Sequence, residues 1–171
     1  MIDLIFKESE VVPEGYAERR TVKAVVVDDK GKVLTFGPHL LGGGVEVGES
    51  DEQAIAREML EEAGIEVEII RPLGRVVGYR DAIRKKYIVD GFLCKYIRKL
   101  STPTTTDEDE IGRESLWHNS TEKAIQYVAE EVKKVQQTDK ASYEGDGYQS
   151  RLYNAQTALA FLKEAFKPAA K

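Results

Sequence analysis

The most constraining feature of this sequence is a helix signal that runs from Ser50 to Ala63. Ser50 is a favourable N-cap residue, and Gln53 three positions later completes a capping box. Gly64 can take the left-handed conformation that ends a helix. Apolar residues recur at helical spacing and predict the packed face, which comprises Ile55, Ala56, Met59, Leu60 and Ala63.

Acidic residues crowd one side of this helix. Glu58, Glu61 and Glu62 stand at positions i, i+3 and i+4, a spacing at which like charges cost about 0.2–0.5 kcal/mol per pair. Arg57 is the one basic residue within the predicted helix. The cluster becomes favourable when a hard divalent cation such as Mg²⁺ binds among the carboxylate oxygens. The glycine run 42–44 before the helix can turn backbone groups toward such an ion and let a phosphate approach closely.

This combination of residues resembles the signature of the Nudix hydrolases, G-x5-E-x7-R-E-U-x-E-E-x-G-U, in which U is apolar. The matching positions are Gly43, Glu49, Arg57, Glu58, Met59, Glu61, Glu62, Gly64 and Ile65. The alternative interpretation, a solvated acidic helix face, would make the match a coincidence. One position departs from the family pattern, since Leu41 stands where many members carry proline before the glycine pair.

The resemblance covers roughly residues 18–137 and implies an α+β fold, an α/β/α sandwich with a mixed β-sheet. It also implies hydrolysis of a nucleoside diphosphate linked to another group, with Mg²⁺, or Mn²⁺, as the cofactor. Water attacks phosphorus in such reactions while the metal neutralises the oxyanions and activates the water.

The resemblance assigns roles to individual residues of the signature. Glu58 and Glu62 are expected to bind the metal, with Glu61 assisting and the Gly42 carbonyl completing the coordination. Arg57 and Glu49 are expected to pair and to hold the carboxylates in place; these two and the three glutamates at positions 58, 61 and 62 form the expected catalytic group.

A further acid commonly comes from a loop outside the signature in Nudix-like enzymes, as a metal ligand or general base. The polar loop 101–110 ends in four consecutive acids, and Glu110 is our choice, with Asp109 next. A long polar loop in a compact domain is often functional, although a solvated acidic loop is an equally simple interpretation.

Several residues are candidates for binding the substrate. Arg19, Arg20 and Lys23 lie near the start of a β-rich segment and could meet a phosphate, although exposed strand ends often carry such charges. His39, in the loop before the glycines, is a candidate contact, although a single histidine in a loop is more often solvated. Gly43 and Gly44 are expected to bring the backbone close to the phosphates.

The substrate class can be inferred from the sequence only by excluding the alternatives. The window Arg80–Ala82 offers neither the proline expected of ADP-ribose enzymes nor the tyrosine expected of dinucleoside polyphosphate enzymes, and no coenzyme A signature precedes the glycines. We therefore expect a nucleoside triphosphate or an oxidised one such as 8-oxo-dGTP. Hydrolysis of ADP-ribose or a nucleotide sugar, and a non-catalytic nucleotide-binding module, are the alternatives. Trp117, Tyr79, Tyr87 and His118 are available for a base pocket, although packing is the favoured interpretation of each.

Composition limits the partners. The chain has 171 residues and a net charge of −5, which argues against binding a nucleic acid polymer. A single cysteine, Cys94, suits a reducing compartment, and neither a signal peptide nor an apolar span is evident. We therefore expect a cytoplasmic enzyme with a small-molecule nucleotide substrate and no membrane contact.

The remaining sequence predicts one domain over residues 1–171. Strands are expected at 18–27, 32–36, 86–98 and 115–117, with two further strands either side of Pro72 and a possible one in 2–12. Helices are expected at 120–137 and at about 148–166. The last helix carries an apolar seam of Tyr148, Leu152, Ala155, Leu159, Leu162 and Phe166, most simply a core contact, with a homodimer as the alternative.

Overall fold

The computed structural model describes residues 1–7, 14–104 and 115–168. Within these ranges the chain forms six β-strands and three α-helices. The strands are β1 (Ile2–Phe6), β2 (Ala17–Val27), β3 (Val33–Phe36), β4 (Ile65–Arg80), β5 (Lys85–Lys99) and β6 (Ser115–His118). The helices are α1 (Asp51–Ala63), α2 (Thr121–Gln137) and α3 (Gly147–Ala165).

The six described strands belong to one mixed sheet in the order β1-β4-β5-β2-β3-β6. β1 runs parallel to β4 and β2 parallel to β5, and the other neighbouring strands are antiparallel. Helix α1 covers one face of the sheet, and α2 and α3 cover the other. The predicted α+β fold with a mixed sheet between helical layers is confirmed.

Two apolar cores lie on the two faces, and β2 contributes to both because its side chains alternate. Val22, Ala24 and Val26 pack toward α1, whereas Val25 packs toward α2 and α3. Cys94 is fully buried in the core beneath α1. None of the described helices combines the length and apolar character that a membrane-spanning helix needs.

The segment around Pro72 is one continuous strand, so the prediction of two separate strands there is wrong. β4 pairs with β5 on both sides of Pro72, with register shifts at Glu66/Val67, Ile69/Arg71 and Pro72/Gly74. Its other neighbour, β1, pairs only with Gly74–Gly78. Pro72 therefore lies beyond that ladder at a bulged part of the strand, where its missing N–H removes no bond to β1.

The buried face of α1 differs from the predicted apolar stripe. Leu60 is 41% exposed and Ala56 is also exposed, whereas Glu58 and Glu62 are buried, with only 8% and 3% of their surface exposed. The helix therefore turns two carboxylates, rather than its full apolar stripe, toward the rest of the chain. Burying charged side chains is costly unless they have partners, which makes this face the first place to look for chemistry.

Helix α3 packs closely on the sheet, but through a face rotated from the predicted seam. Tyr148, Leu152, Leu159 and Phe166 are only partly buried. Its buried residues are Ala155, Thr157, Ala158, Phe161, Leu162 and Ala165. Close approach depends on Gly91 of β5, because a Cβ there would lie 2.4 Å from the Phe161 ring.

Candidate active site

The glycine loop that precedes α1 lies against the edge of β2. Val22 donates its N–H to the Gly43 carbonyl at 3.0 Å, and Ala24 donates to Leu41 at 2.9 Å. Gly42 has φ +122°, and a Cβ at that position would lie 2.2 Å from the Val22 carbonyl oxygen. A Cβ on Gly43 would lie 2.3 Å from Oε1 of Glu58. Only glycine can therefore bring this backbone so close to the α1 carboxylates.

Helix α1 is fixed in place by the caps that the sequence predicts. Ser50 accepts the Gln53 N–H at 3.2 Å, and the Gln53 side chain accepts the Ser50 N–H at 2.8 Å. Gly64 ends the helix in the left-handed conformation at φ 61°. The caps position the glutamates of α1 beneath the glycine loop, where the Gly42 N–H donates to Oε2 of Glu62 at 2.6 Å.

The Arg57 guanidinium links the loop to three glutamates. Nε and Nη2 donate to the two oxygens of Glu49, each at 3.0 Å, so the predicted contact is present and bidentate. Nη1 donates to Glu58 at 2.7 Å and to Glu61 at 3.2 Å, and Nη2 also donates to the Gly44 carbonyl at 2.8 Å. A planar fork can hold all these oxygens at once, which an ammonium cannot.

The environment shifts the pKa values of these carboxyl groups in opposite directions. The Arg57 hydrogen bonds, with the Glu46 N–H, hold the pKa of Glu49 below its usual range. Burial raises the pKa of Glu58, against the opposing effects of Arg57 and Lys23. A carboxylate that is costly to keep charged in the folded protein favours a bound cation.

The donor set fits a hard divalent cation. Carboxylate oxygens of Glu58, Glu61 and Glu62 and the carbonyl of Gly42 are the ligand types that Mg²⁺ prefers. In the described ranges no three acidic, histidine or cysteine side chains are already gathered in metal-binding geometry. The contacts above explain this, because Glu58 and Glu61 are directed to Arg57 and Glu62 to the Gly42 N–H.

Lys23 of β2 is also directed to this region. Its ammonium donates a hydrogen bond to the Gly42 carbonyl, the group that the family pattern assigns to the metal. A positive charge therefore lies beside the buried carboxylates, where it lowers the cost of keeping them ionised.

A cavity of about 290 Å³ adjoins the glycine loop on the face of the sheet below α3. Its lining includes five of the six predicted substrate-binding residues, namely Arg19, Lys23, His39, Gly43 and Gly44, together with Gly42 and Glu62. The Arg19 guanidinium lies so close to Gly44 that a Cβ there would be 3.2 Å from Nη2. The cavity thus brings the cationic side chains of Arg19 and Lys23 to the same space as the Glu62 carboxylate.

One predicted substrate-binding residue lies away from the cavity, and the predicted acid outside the signature is not among the described residues. Arg20 donates to Asp51 at 2.7 Å, at the start of α1, and does not line the cavity. Neighbouring residues of a strand point to opposite faces, which separates Arg20 from Arg19. Glu110, like Asp109, lies outside the described residues, so its expected role stays a prediction.

Three of the four aromatic candidates for a base pocket pack against other rings, which is the interpretation that the sequence favours. Tyr87 lines the cavity. Trp117 and His118 lie on β6 at the edge of the sheet. The Trp117 ring packs edge-on against Tyr96, and the His118 ring lies against Tyr127. Tyr79 packs against Tyr16.

Comparison with known proteins decides the family. A model of the NUDIX domain matches residues 17–139 of the chain. This chain belongs to the Nudix family. It is thus a Nudix pyrophosphohydrolase, and the matched range contains the whole of the loop and helix described above.

Solved structures of Nudix proteins share the fold. A NUDIX hydrolase from Nitrosomonas europaea has 20% identity and a TM-score of 0.53, covering 82% of this chain and 90% of that one. A NUDIX-family hydrolase from Clostridium perfringens has 19% identity and a TM-score of 0.50, covering 84% and 95%. An ADP-ribose pyrophosphatase from Streptococcus suis has 16% identity and a TM-score of 0.50, covering 89% and 94%. No curated protein matches the chain.

Sequence reasoning missed the part that α3 plays in this site. Ser150, Tyr153, Asn154, Thr157 and Ala158 of α3 line the cavity. The signal that could have indicated them is polar: Ser150, Asn154 and Thr157 recur at i, i+4 and i+7, between the positions of the apolar seam.

Proposed function

We propose that this Nudix protein hydrolyses a nucleoside diphosphate linked to another group, with Mg²⁺ as cofactor and a nucleoside triphosphate as the substrate class. The observation that carries the proposal is the burial of Glu58 and Glu62 under a glycine loop that opens into a cationic cavity. When bound, the metal supplies charge neutralisation at the phosphates and lowers the pKa of a bound water.

The side chains of the site have separate tasks in this proposal. Glu58, Glu61 and Glu62 hold the metal with the Gly42 carbonyl, and Arg57 with Glu49 fixes their orientation. Arg19 and Lys23 attract the polyphosphate, which the net charge of −5 would otherwise repel.

The phosphates lie along the backbone of Gly43 and Gly44 in this arrangement. Water attacks one phosphorus and the bridging P–O bond breaks, so a triphosphate yields the monophosphate and pyrophosphate. A positioned general base outside α1, for which Glu110 stays our choice, takes the proton from the water.

The test is chromatographic separation of the products formed from a nucleotide panel, with Mg²⁺ and with EDTA. The panel contains the four dNTPs, 8-oxo-dGTP, ADP-ribose, a dinucleoside polyphosphate and coenzyme A. We expect metal-dependent turnover of a triphosphate. Turnover of ADP-ribose alone would contradict the substrate class while leaving the reaction type standing, and binding without turnover would support a regulatory module.

A further inference from the structure

Helix α3 forms a wall of the cavity, although it lies outside the part of the chain that the NUDIX model matches. The match ends at residue 139, and α3 begins at Gly147. The cavity residues of α3 are Ser150, Tyr153, Asn154, Thr157 and Ala158, the spacing of a single helix face. This face therefore contacts both the sheet and the space next to the glycine loop.

The floor of the cavity is a patch of sheet made by two rows of paired residues. One row is Arg19, Tyr87 and Gly78, and the other is Thr21, Val89 and Val76, across β2, β5 and β4. Paired residues share a face, and a Cβ on Gly78 would lie 3.5 Å from the Tyr153 ring of α3. The floor thus presents an aromatic ring and two valines to the helix above.

Thr21 has a buried polar group that lacks a partner. Its side chain is only 9% exposed, and Oγ1 has no hydrogen-bond partner among the described residues. Buried hydroxyls are nearly always hydrogen-bonded, because an unpaired one destabilises the fold. This hydroxyl is covered in the ligand-free protein, but Thr21 lines the cavity, so rotation about its χ1 on ligand binding would let a ligand supply the missing hydrogen bond.

Asn154 adds a second polar group on the opposite wall. It is exposed and lines the same cavity, where its amide offers an acceptor oxygen and two donor hydrogens. A side-chain amide can donate to and accept from one base edge at the same time.

The cavity is held in shape by contacts at the start of α3. Asp146, just before the helix, forms a partly buried ion pair with Arg80 at the end of β4. The Arg80 guanidinium lies over the Tyr87 ring, 4.8 Å from its centroid. These contacts fix the first turn of α3 over the sheet, so the walls exist before a ligand arrives.

We propose that this cavity is a nucleobase subsite in which Thr21 and Asn154 recognise the polar edge of the base. The inference rests on the proposed function, which places the phosphates at the glycine loop beside Arg19 and Lys23. The base is then directed under α3, where Val76 and Val89 face its ring. A flat apolar ring with a polar edge is the chemistry that an apolar floor with a few convergent polar groups selects.

The experiment compares Thr21→Val, Thr21→Ser and Asn154→Ala with the wild type and with Asn119→Ala. Asn119 is exposed in the turn before α2 and does not line the cavity, so it controls for loss of an asparagine amide. The readouts are kcat/KM for each dNTP relative to inorganic tripolyphosphate, calorimetric affinity for nucleoside monophosphates, and the Tm of the ligand-free protein.

We expect Thr21→Val and Asn154→Ala to lower kcat/KM and monophosphate affinity about three- to tenfold for the preferred base. The differences in kcat/KM among the four dNTPs should therefore become smaller. Thr21→Ser, which keeps the hydroxyl, should retain the preference. Thr21→Val should melt at or above the wild-type Tm, because it removes an unpaired buried hydroxyl; a threonine with a structural role would melt lower.

The outcomes separate this inference from the proposed function. Turnover of nucleotides with base preferences unchanged in both variants would overturn the subsite and leave the reaction intact. Monophosphate binding that weakens in the variants, without turnover of any substrate, would support the subsite and overturn the proposed reaction. Absence of both turnover and nucleotide binding in the wild type would overturn both.

Discussion

At the scale of single residues, Arg57 is the side chain on which the site geometry depends most. Its guanidinium contacts Glu49, Glu58, Glu61 and the Gly44 carbonyl, and Glu49 raises its pKa further above the ordinary arginine value. It therefore ties the orientation of the α1 carboxylates to the loop above them.

Arg57→Lys is expected to lower kcat/KM about 10- to 100-fold and to raise the Mg²⁺ concentration needed for half-maximal rate, because residues that orient metal ligands have effects of this size. Lysine keeps the charge and loses the bidentate fork. Steady-state kinetics with Mg²⁺ titration measures this. Arg98→Lys is the matched control, since Arg98 is exposed and pairs with Glu66 at the surface. Equal kinetics in the two variants would contradict the assignment.

Cys94 provides a residue-scale test that does not involve the site. Burial raises the pKa of the Cys94 thiol to about 12, so the reactive thiolate is scarce at neutral pH. We expect no reaction of the native protein with a dithionitrobenzoate reagent at pH 7, and complete reaction once the chain is unfolded in guanidinium. Rapid labelling of the native thiol would show that the core beneath α1 opens readily.

Residue-level prediction succeeded where spacing along one helix determines geometry. The capping box follows from separations along the chain, the Arg57–Glu49 contact follows from the family resemblance, and both are present. The exposure of Leu60 could not be predicted, because the periodicity of α1 fits more than one buried face. The choice between them is made by the glycine loop, which lies over Glu58 and Glu62.

At the scale of elements, the fit of α3 on the sheet depends on glycine. Gly91→Ala would place a methyl group 2.4 Å from the Phe161 ring, which must then shift. The expected cost is about 1–3 kcal/mol, and each kcal/mol lowers Tm by about 2–4 °C in a chain of this size. Thermal unfolding followed by circular dichroism measures it.

Gly78→Ala is the matched control for this substitution. Gly78 lies on the same face of the sheet, but its added Cβ would be 3.5 Å from Tyr153, an ordinary contact distance. A Tm near that of the wild type is expected for Gly78→Ala. If the two variants lose the same stability, the account of the α3 contact is wrong.

Element prediction succeeded for α1 and α2 and failed at Pro72 and for the seam of α3. The first two helices have clear N-caps at Ser50 and Ser120, and they span 51–63 and 121–137, close to the predicted ranges. Pro72 lies in a single strand because β1 leaves that edge of β4 unpaired, a tertiary fact that no local pattern contains.

At the scale of the whole molecule, the sandwich could be predicted and the cavity could not. The sheet follows from β-rich segments and from the family resemblance. The cavity brings Thr21 of β2 and Asn154 of α3 to one space, and its existence depends on how closely α3 packs. The single-domain organisation and a homodimer stay predictions.

The central claim is that buried carboxylates of α1 bind the catalytic metal, and Glu62→Gln tests it most directly. The comparison is with Glu52→Gln, an exposed glutamate of the same helix, measured as kcat with Mg²⁺ and as calorimetric Mg²⁺ affinity. We predict that Glu62→Gln loses nearly all turnover and weakens Mg²⁺ binding, while Glu52→Gln changes neither and both variants stay folded. Wild-type kcat and Mg²⁺ affinity in a folded Glu62→Gln variant would contradict the account.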